Sequence, residues 1–374
     1  MKAIFLALFL SIFAIILFYA KKRFIDKIDF ANSTKKYIKL FLIALYVLVL
    51  LYFSNRFFNF LPSWLYYLVS LSIAIGFIIF IFAIFYEIFK FISSVLGLTS
   101  SKSRIVEFSI FYLMILYLGF GIANGFSDIE IKNYKIKSPK LKSEAKIVFF
   151  SDLHIGPLVD SQYTRKLVAL INAQNPDFII IGGDLIDDNL YSIKPQVVEL
   201  QKLKASRKVF YAIGNHEYFY GENDVLNLAK TLNFEILDNK SFFDDELKIQ
   251  ISGIFDYFGN RKNTLKPDLD KLHDNNDFYR VLVSHQPKVL NDISFNKNKF
   301  ELVLSGHTHC GQIFPFGFLV LLDQPYLCGK YEISPNLDLI VSSGAGFWGP
   351  RVRIGSRFEI VVIDLSGDRS QNSQ

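Results

Sequence analysis

The sequence predicts a two-part molecule, an all-α transmembrane region of about four helices followed by a layered α/β domain. Three observations carry this reading. Four long apolar runs are confined to the first third. At Lys146 the pattern switches to short β-rich runs separated by amphipathic stretches. The mean hydropathy is +0.28, and 39 of the 374 residues are Phe. So apolar a chain is neither disordered nor highly charged, and at about 150 residues per domain its length allows two or three units. The boundaries read as 1–130 for the transmembrane helical region, 131–145 for a basic linker, 146–366 for the α/β domain and 367–374 for a disordered tail.

The apolar runs at 3–20, 40–53, 61–91 and 105–126 are mostly long enough for a hydrocarbon core that needs about 20 residues. The second is marginal, though Tyr37 and Ile38 extend it. Glu87 and Lys90 interrupt the third run near its end, one helical turn apart, where they can pair or snorkel to the interface. Trp64, Tyr66 and Tyr67 fit an aromatic belt at its other end. The first run reads as a retained helix rather than a signal peptide, because residues 17–20 lack a small-x-small site and Lys21, Lys22 and Arg23 follow at once. Lys and Arg near the helix ends divide almost evenly between the two sides, so the membrane side of the second half stays open.

Residues 1–145 carry a net charge of +10 and residues 146–374 a net −4, so the basic excess is juxtamembrane. A groove that neutralises phosphates along a nucleic acid is not expected in the second half. Cys310 and Cys328 are the two cysteines, too few for a disulfide framework.

Runs at 147–150, 178–181, 209–213, 281–283 and 302–304 read as buried strands, with further strands at 339–342 and 358–363 and helical patterns at 163–173 and 224–232. Strand and helix alternate, which predicts sheet packed with helices. Polar motifs follow the strands directly, where open α/β sheets place ligands.

Five such motifs occur: Ser151-Asp152-Leu153-His154, Gly182-Gly183-Asp184-Leu185-Ile186-Asp187, Gly214-Asn215-His216-Glu217, Ser284-His285-Gln286-Pro287 and Gly306-His307-Thr308-His309. Imidazole with carboxylate and amide oxygen is a donor mix for Mn²⁺, Fe²⁺ or Zn²⁺. Asp152 and His154 alternate along an assumed extended segment, as do His307 and His309, so each pair is expected on one face. Two such pairs with a carboxylate between them can grip two ions. A binuclear centre suits phosphoryl transfer because it activates water and neutralises attacking and leaving oxygens. His273 lies in a charged loop and reads as an ordinary surface histidine.

In this order, the motifs from Asp152 to His309 resemble the calcineurin-like metallophosphoesterase superfamily over residues 146–365. The resemblance implies a metallophosphoesterase domain, a layered β-sandwich flanked by helices. It implies that Asp152, His154 and His309 bind one metal, that Asn215, His285 and His307 bind the other, and that Asp184 bridges them. His216 is implied as the catalytic residue, stabilising a phosphoryl oxygen or protonating the leaving group. Asp187, Asp188 and Glu217 read as groups that orient the ligands.

Within the superfamily, residues 306–312 and the stretch from Ser343 to Pro350 with Arg351, Arg353 and Arg357 resemble a membrane-anchored bacterial branch. That branch includes UDP-2,3-diacylglucosamine pyrophosphatases of lipid A synthesis. The three arginines can pair with phosphate or simply be solvated. Cys310 reads as a passive substitution or as a soft neighbour of the metals. The apolar stretch 313–322 reads first as a core strand, and otherwise as an exposed loop that meets lipid.

The expected protein is thus a multi-pass inner-membrane phosphohydrolase with two divalent ions (Mn, Fe or Zn). Its expected partners are the lipid bilayer and a phosphate-containing, lipid-linked substrate, not nucleic acid. The alternatives are an envelope phospholipid or wall-polymer phosphodiesterase and a non-catalytic receptor on the same fold. A transporter would need ionisable groups buried mid-helix, and the four runs offer almost none.

Overall fold

The four apolar runs form helices in the computed structural model, which describes residues 2–97, 103–292 and 294–367. They are α1 (Lys2–Arg23), α2 (Asn32–Phe58), α3 (Ser63–Val95) and α4 (Ser103–Asn124). Among the described residues three helices are long and apolar enough to cross a membrane: Asn32–Arg56, Ser63–Val95 and Ile105–Asn124. The second run, marginal as a bare apolar stretch, therefore lies in a helix of membrane-spanning length. The α2 to α3 turn is set by Asn59 in the left-handed region and by the Asn55 side chain, which accepts from the Phe60 and Leu61 amides at 2.9 and 2.7 Å.

Two expectations for this region change. Tyr66 does not belong to an aromatic belt: it is buried and stacked on Tyr52 at 5.3 Å, while Trp64 is exposed. Glu87 lies 3.8 Å from Arg23, and Lys90 sits over the Tyr86 ring. Residues Gly349–Arg353 form one compact unit with Met1–Phe126, and Ser127–Trp348 with Ile354–Gln374 form the second. In the first unit Arg351 donates to the Gly125 carbonyl at 2.6 Å and covers the Phe126 ring, and the Arg353 amide donates to the Gly121 carbonyl.

The second unit is built on twelve described strands: β1 (Glu130–Lys137), β2 (Ala145–Phe150), β3 (Phe178–Ile181), β4 (Lys208–Tyr211), β5 (Glu235–Ile236), β6 (Lys240–Asp244), β7 (Ile249–Gly253), β8 (Tyr279–Val283), β9 (Leu302–Ser305), β10 (Gly329–Ser334), β11 (Leu337–Val341) and β12 (Glu359–Ser366). They make two mixed sheets, in the orders β1-β12-β2-β3-β4-β5 and β10-β11-β9-β8-β7-β6. Side chains alternate across each strand. Ile147, Phe149, Ile180 and Phe210 therefore meet Ile251, Val281, Val283 and Leu304 between the sheets. Val148, Phe150, Ile179 and Ile181 face the opposite way, toward helices.

One of those helices, α5 (Ser161–Asn172), starts where the Asp160 carboxylate accepts from the Tyr163 amide at 2.7 Å. It buries Leu167, Val168 and Ile171, the one-face spacing expected of an amphipathic helix. The helix expected near 224–232 is α6 (Glu222–Thr231).

The expected basic linker is in part a strand. Glu130–Lys137 pairs in parallel with β12 along the sheet edge. Lys132, Lys135 and Lys137 make the segment look like a tether, but lysine on an edge strand discourages pairing with other chains. β12 runs to Ser366, directly before the expected tail, and residues 368–374 of that tail lie outside the described residues.

The helix face gives a stability test. Leu167→Ala should cost about 2–5 kcal/mol, whereas Lys166→Ala on the exposed side should cost under about 1 kcal/mol. Denaturant unfolding of the solubilised chain followed by circular dichroism would measure both, and equal losses would contradict the packing.

Candidate metal centre

The register aligns the carboxyl ends of the strands. Phe150, Ile181 and Tyr211 pair across β2, β3 and β4, and Val283 pairs with Leu304 across β8 and β9. The loops that leave these ends begin level with one another. Asp152 and His154 follow β2, Asp184 follows β3, Asn215 and His216 follow β4, His285 follows β8, and His307 and His309 follow β9.

The expected extended alternation of Asp152 with His154, and of His307 with His309, is not what brings them together. All four are in loops and in the left-handed region, with φ of +56°, +50°, +70° and +48°, and Asp184 joins them at +50°. Each such non-glycine residue costs on the order of 1–3 kcal/mol. Backbone bonds pin the strained loops: the Asp152 amide donates to the Gly183 carbonyl at 2.9 Å, and the His154 amide to the Asp184 carbonyl at 3.0 Å.

Two glycines are required by close approach. A Cβ on Gly306 would sit 2.3 Å from Asp152 Oδ2, and one on Gly214 would sit 2.2 Å from Asp184 Oδ1. No side chain fits at either position.

The donor atoms form three overlapping groups, Asp152 with His154 and His309, His154 with Asp184 and His216, and Asp184 with His285 and His307, each drawn within 4.8 Å. His154 Nε2 lies 3.0 Å from His309 Nε2, and His309 Nε2 lies 3.5 Å from Asp152 Oδ1. Asp184 Oδ2 lies 3.3 Å from His285 Nε2, 3.8 Å from His154 Nε2 and 3.9 Å from His216 Nε2. Asn215 Oδ1 is 3.2 Å from His285 Nε2. Sequence-predicted donors from five loops thus share one small space.

Their protonation suits a cation. Burial, then neighbouring imidazolium charge, holds His154 and His307 down at about 3, so both are neutral bases near pH 7. Burial pushes the Asp152 carboxyl up to about 6. Burial also works against ionisation of Asp184, but His285 and His216 outweigh it and hold that carboxyl well below the usual range. His285, although buried, is raised well above the ordinary histidine value by Asp184 and Asp152. Its Nδ1 donates to the Gly182 carbonyl at 2.8 Å, so its Nε2 is the atom for which a proton and a metal ion compete. The His154 Nδ1 is buried with no hydrogen-bond partner among the described residues. These donors fit divalent ions: neutral imidazoles, an ionised carboxylate and an amide oxygen, with lone pairs facing one another.

Surrounding groups set the angles. Glu217, fully buried, accepts from the Gly214 and Leu185 amides at 2.7 Å and from the Asp184 amide at 3.1 Å, clamping two ligand loops together. Burial and the nearby Asp184 raise its carboxyl to about 7. His216 Nδ1 donates to Asp187 at 2.8 Å, and the Tyr220 hydroxyl donates to the same carboxylate at 3.2 Å. Of the three carboxylates expected to orient ligands, Asp187 and Glu217 make these contacts, whereas the Asp188 carboxylate accepts from its neighbour Asn189.

Sequence reasoning missed Ser151, whose hydroxyl donates to Asp152, and Tyr220; a polar residue directly before a ligand was the available signal for Ser151. Of the three arginines, Arg353 is fully buried, Arg357 lies 3.7 Å from Glu130, and Arg351 donates to the Gly125 carbonyl. Cys310 is not a soft neighbour of the metals: it is bonded to Cys328. His273 is exposed and stands apart, its carbonyl accepting from Gln250.

The family model described as calcineurin-like phosphoesterase matches residues 145–311. An uncharacterized metallophosphoesterase of Campylobacter jejuni is 34% identical over 374 residues, covering 98% of this chain and 99% of that protein. One from Helicobacter pylori is 37% identical over 313 residues, covering 82% and 84%. A Danio rerio transmembrane protein with a metallophosphoesterase domain is 31% identical over 64% of this chain and 56% of its own length.

The clamp predicts that Glu217→Gln, which replaces one of the two accepting carboxylate oxygens with an NH2 facing amide donors, weakens Mn²⁺ binding by about 10–100-fold. Asp188→Asn should leave it unchanged. Calorimetric titration of the solubilised chain reads both, and an unaltered affinity in Glu217→Gln would refute the clamp.

Proposed function

Since the chain belongs to the calcineurin-like phosphoesterase family and is a metal-dependent phosphoester hydrolase, we propose that it holds two divalent ions and cleaves a phosphodiester or pyrophosphate bond in a lipid-linked substrate. The observation that carries this reading is the linkage of the donor groups through Asp184. Asp152, His154 and His309 form one cluster of donors and His285 and His307 form another with Asp184, with Asn215 beside His285. Asp184 Oδ2 stands within 3.8 Å of an imidazole from each set, which suits a bridging carboxylate.

Imidazole and carboxylate donors favour Mn, Fe or Zn. When bound, such ions lower the pKa of a coordinated water and neutralise the phosphoryl oxygens. The chain supplies the rest. The loops after five strands fix the donors on rigid sheet ends, so the phosphate is oriented without reorganisation. His216 is held by Asp187 with its Nε2 toward Asp184, placed to stabilise a phosphoryl oxygen or to give a proton to the leaving oxygen.

The membrane-length helices support a substrate that resides in or near a bilayer. A nucleotide-linked lipid such as UDP-2,3-diacylglucosamine is one such substrate, and it requires a cytoplasmic site in a multi-pass inner-membrane protein. The Cys310–Cys328 bond favours the second reading, an envelope phospholipid or wall-polymer linkage. Structural disulfides persist in oxidising compartments outside the cytoplasm.

Three measurements test this. Metal analysis of the Mn²⁺-loaded chain should give two ions, and Asp184→Asn should lower that content. His216→Ala should keep the ions yet lose about 10²–10⁴-fold in turnover of a soluble phosphodiester; loss of metal in His216→Ala, or its retention in Asp184→Asn, would reverse the assigned roles. Maleimide labelling of the membrane-bound chain should find both cysteines protected until reductant is added. Free thiols would return the site to the cytoplasm and favour the nucleotide-linked lipid in a substrate panel.

A further inference from the structure

The stretch from Ile313 to Leu322 holds no charged residue, and the structure overturns its first reading as a core strand. Ile313 is buried and bridges to Ile354, but beyond it the chain makes turns and the short helix α7 (Gly317–Val320). Phe314 is 56% exposed, Phe318 65%, Leu319 56% and Leu322 83%. The Phe314 and Phe318 rings meet at 5.9 Å. Trp348, itself 47% exposed, is fixed to the root of this stretch because the Gln312 side chain both donates to its carbonyl and accepts from its amide at 2.9 Å. A polar rim follows, with Asp323 paired to Lys288 at 3.0 Å.

This is not a slack loop. The Cys310–Cys328 bond closes its base, Thr308 donates to the Leu327 carbonyl, and the Phe314 and Ile354 backbones are joined through an amide and a carbonyl at 2.9 Å. Fixed apolar side chains in water gain nothing from being held there. Both ends of the stretch are tied to the ion-binding loops, since His309 directly precedes Cys310.

We propose that residues 314–322, together with Trp348, form an apolar finger that seats in the bilayer interface beside the metal centre. The bilayer is the occupant that the chain itself supplies. Three of its helices have membrane length, so lipid is held at high effective concentration next to any exposed apolar surface of the same chain. The side chains are those that interfaces select: aromatic rings and Leu, with Trp at the margin. An isolated finger this small would bind lipid weakly, but a tethered one has no translational entropy left to lose. The proposal stands on exposure and tethering, not on the identity of the substrate.

Trp64 and Trp348 are the two tryptophans of the chain, so Trp64→Phe leaves Trp348 as a single reporter. The full chain would be placed in phosphatidylcholine nanodiscs with or without bromine at carbons 6 and 7 of the acyl chain. Seating ~5–10 Å into the headgroup boundary should lower Trp348 emission at least twofold with brominated lipid and shield it from acrylamide. Adding Phe318→Ser, Leu319→Ser and Leu322→Ser should abolish the bromine effect while hydrolysis of soluble bis(p-nitrophenyl) phosphate continues. If that triple change does not fold, the single-tryptophan chain alone decides. Emission unaffected by bromine overturns the proposal, through water exposure if acrylamide quenches it and through a protein partner or second copy if acrylamide does not. Bromine quenching that survives the triple change also overturns it.

Discussion

The ionised carboxylate of Asp184, out of water among imidazoles, is the constraint from which the rest of the second unit follows. A buried charge must be compensated, and here the compensation comes from loops that leave two different sheets. That requires the carboxyl ends of β2, β3 and β4 to stand level and to meet those of β8 and β9, which the ladder registers provide. It requires Glu217 to gather the amides of two loops, and glycine at positions 214 and 306 where no side chain fits. The inter-sheet core then has a second task beyond stability: it holds two rigid edges at a fixed separation.

Much of this was legible from residue order, and the exceptions share a physical cause. The central strands were read closely because both their faces are buried, so they appear as unbroken apolar runs such as Phe178–Ile181. An edge strand, and a buried strand interrupted by polar residues, carry no such run. Lys132, Lys135 and Lys137 disguised β1 as a tether, and the buried Gln250 and Ser252 broke the apolar pattern of β7. Donor identities were legible since few residue types bind metals. The path that brings them together was not, because a left-handed Asp or His is chosen by the finished fold and not by local preference. The apolar stretch after His309 misled in the opposite direction. Composition reports a wish to leave water, not whether core or lipid grants it.

The segment from His309 to Cys328 joins two environments that are usually kept apart. At one end lie the His309 imidazole of the candidate metal centre and a network of buried polar groups; a few residues on are exposed Phe and Leu. The disulfide closes this segment on itself, so a displacement of the apolar part is transmitted to the turn that holds His309 and is not absorbed by slack chain. Rigid linkage of this kind keeps a polar reaction close to an apolar surface without exposing the ions to it.

The left-handed residues have a consequence for how such a chain changes over generations. Asp152, His154, Asp184, His307 and His309 each occupy backbone that glycine would accept at no penalty. Glycine at any one of them would relieve the backbone and remove a donor in the same step, and at Asp152 and Asp184 it would also orphan the His307 and His216 amides. Strain and donor chemistry sit on the same residue, so neither can be changed without the other.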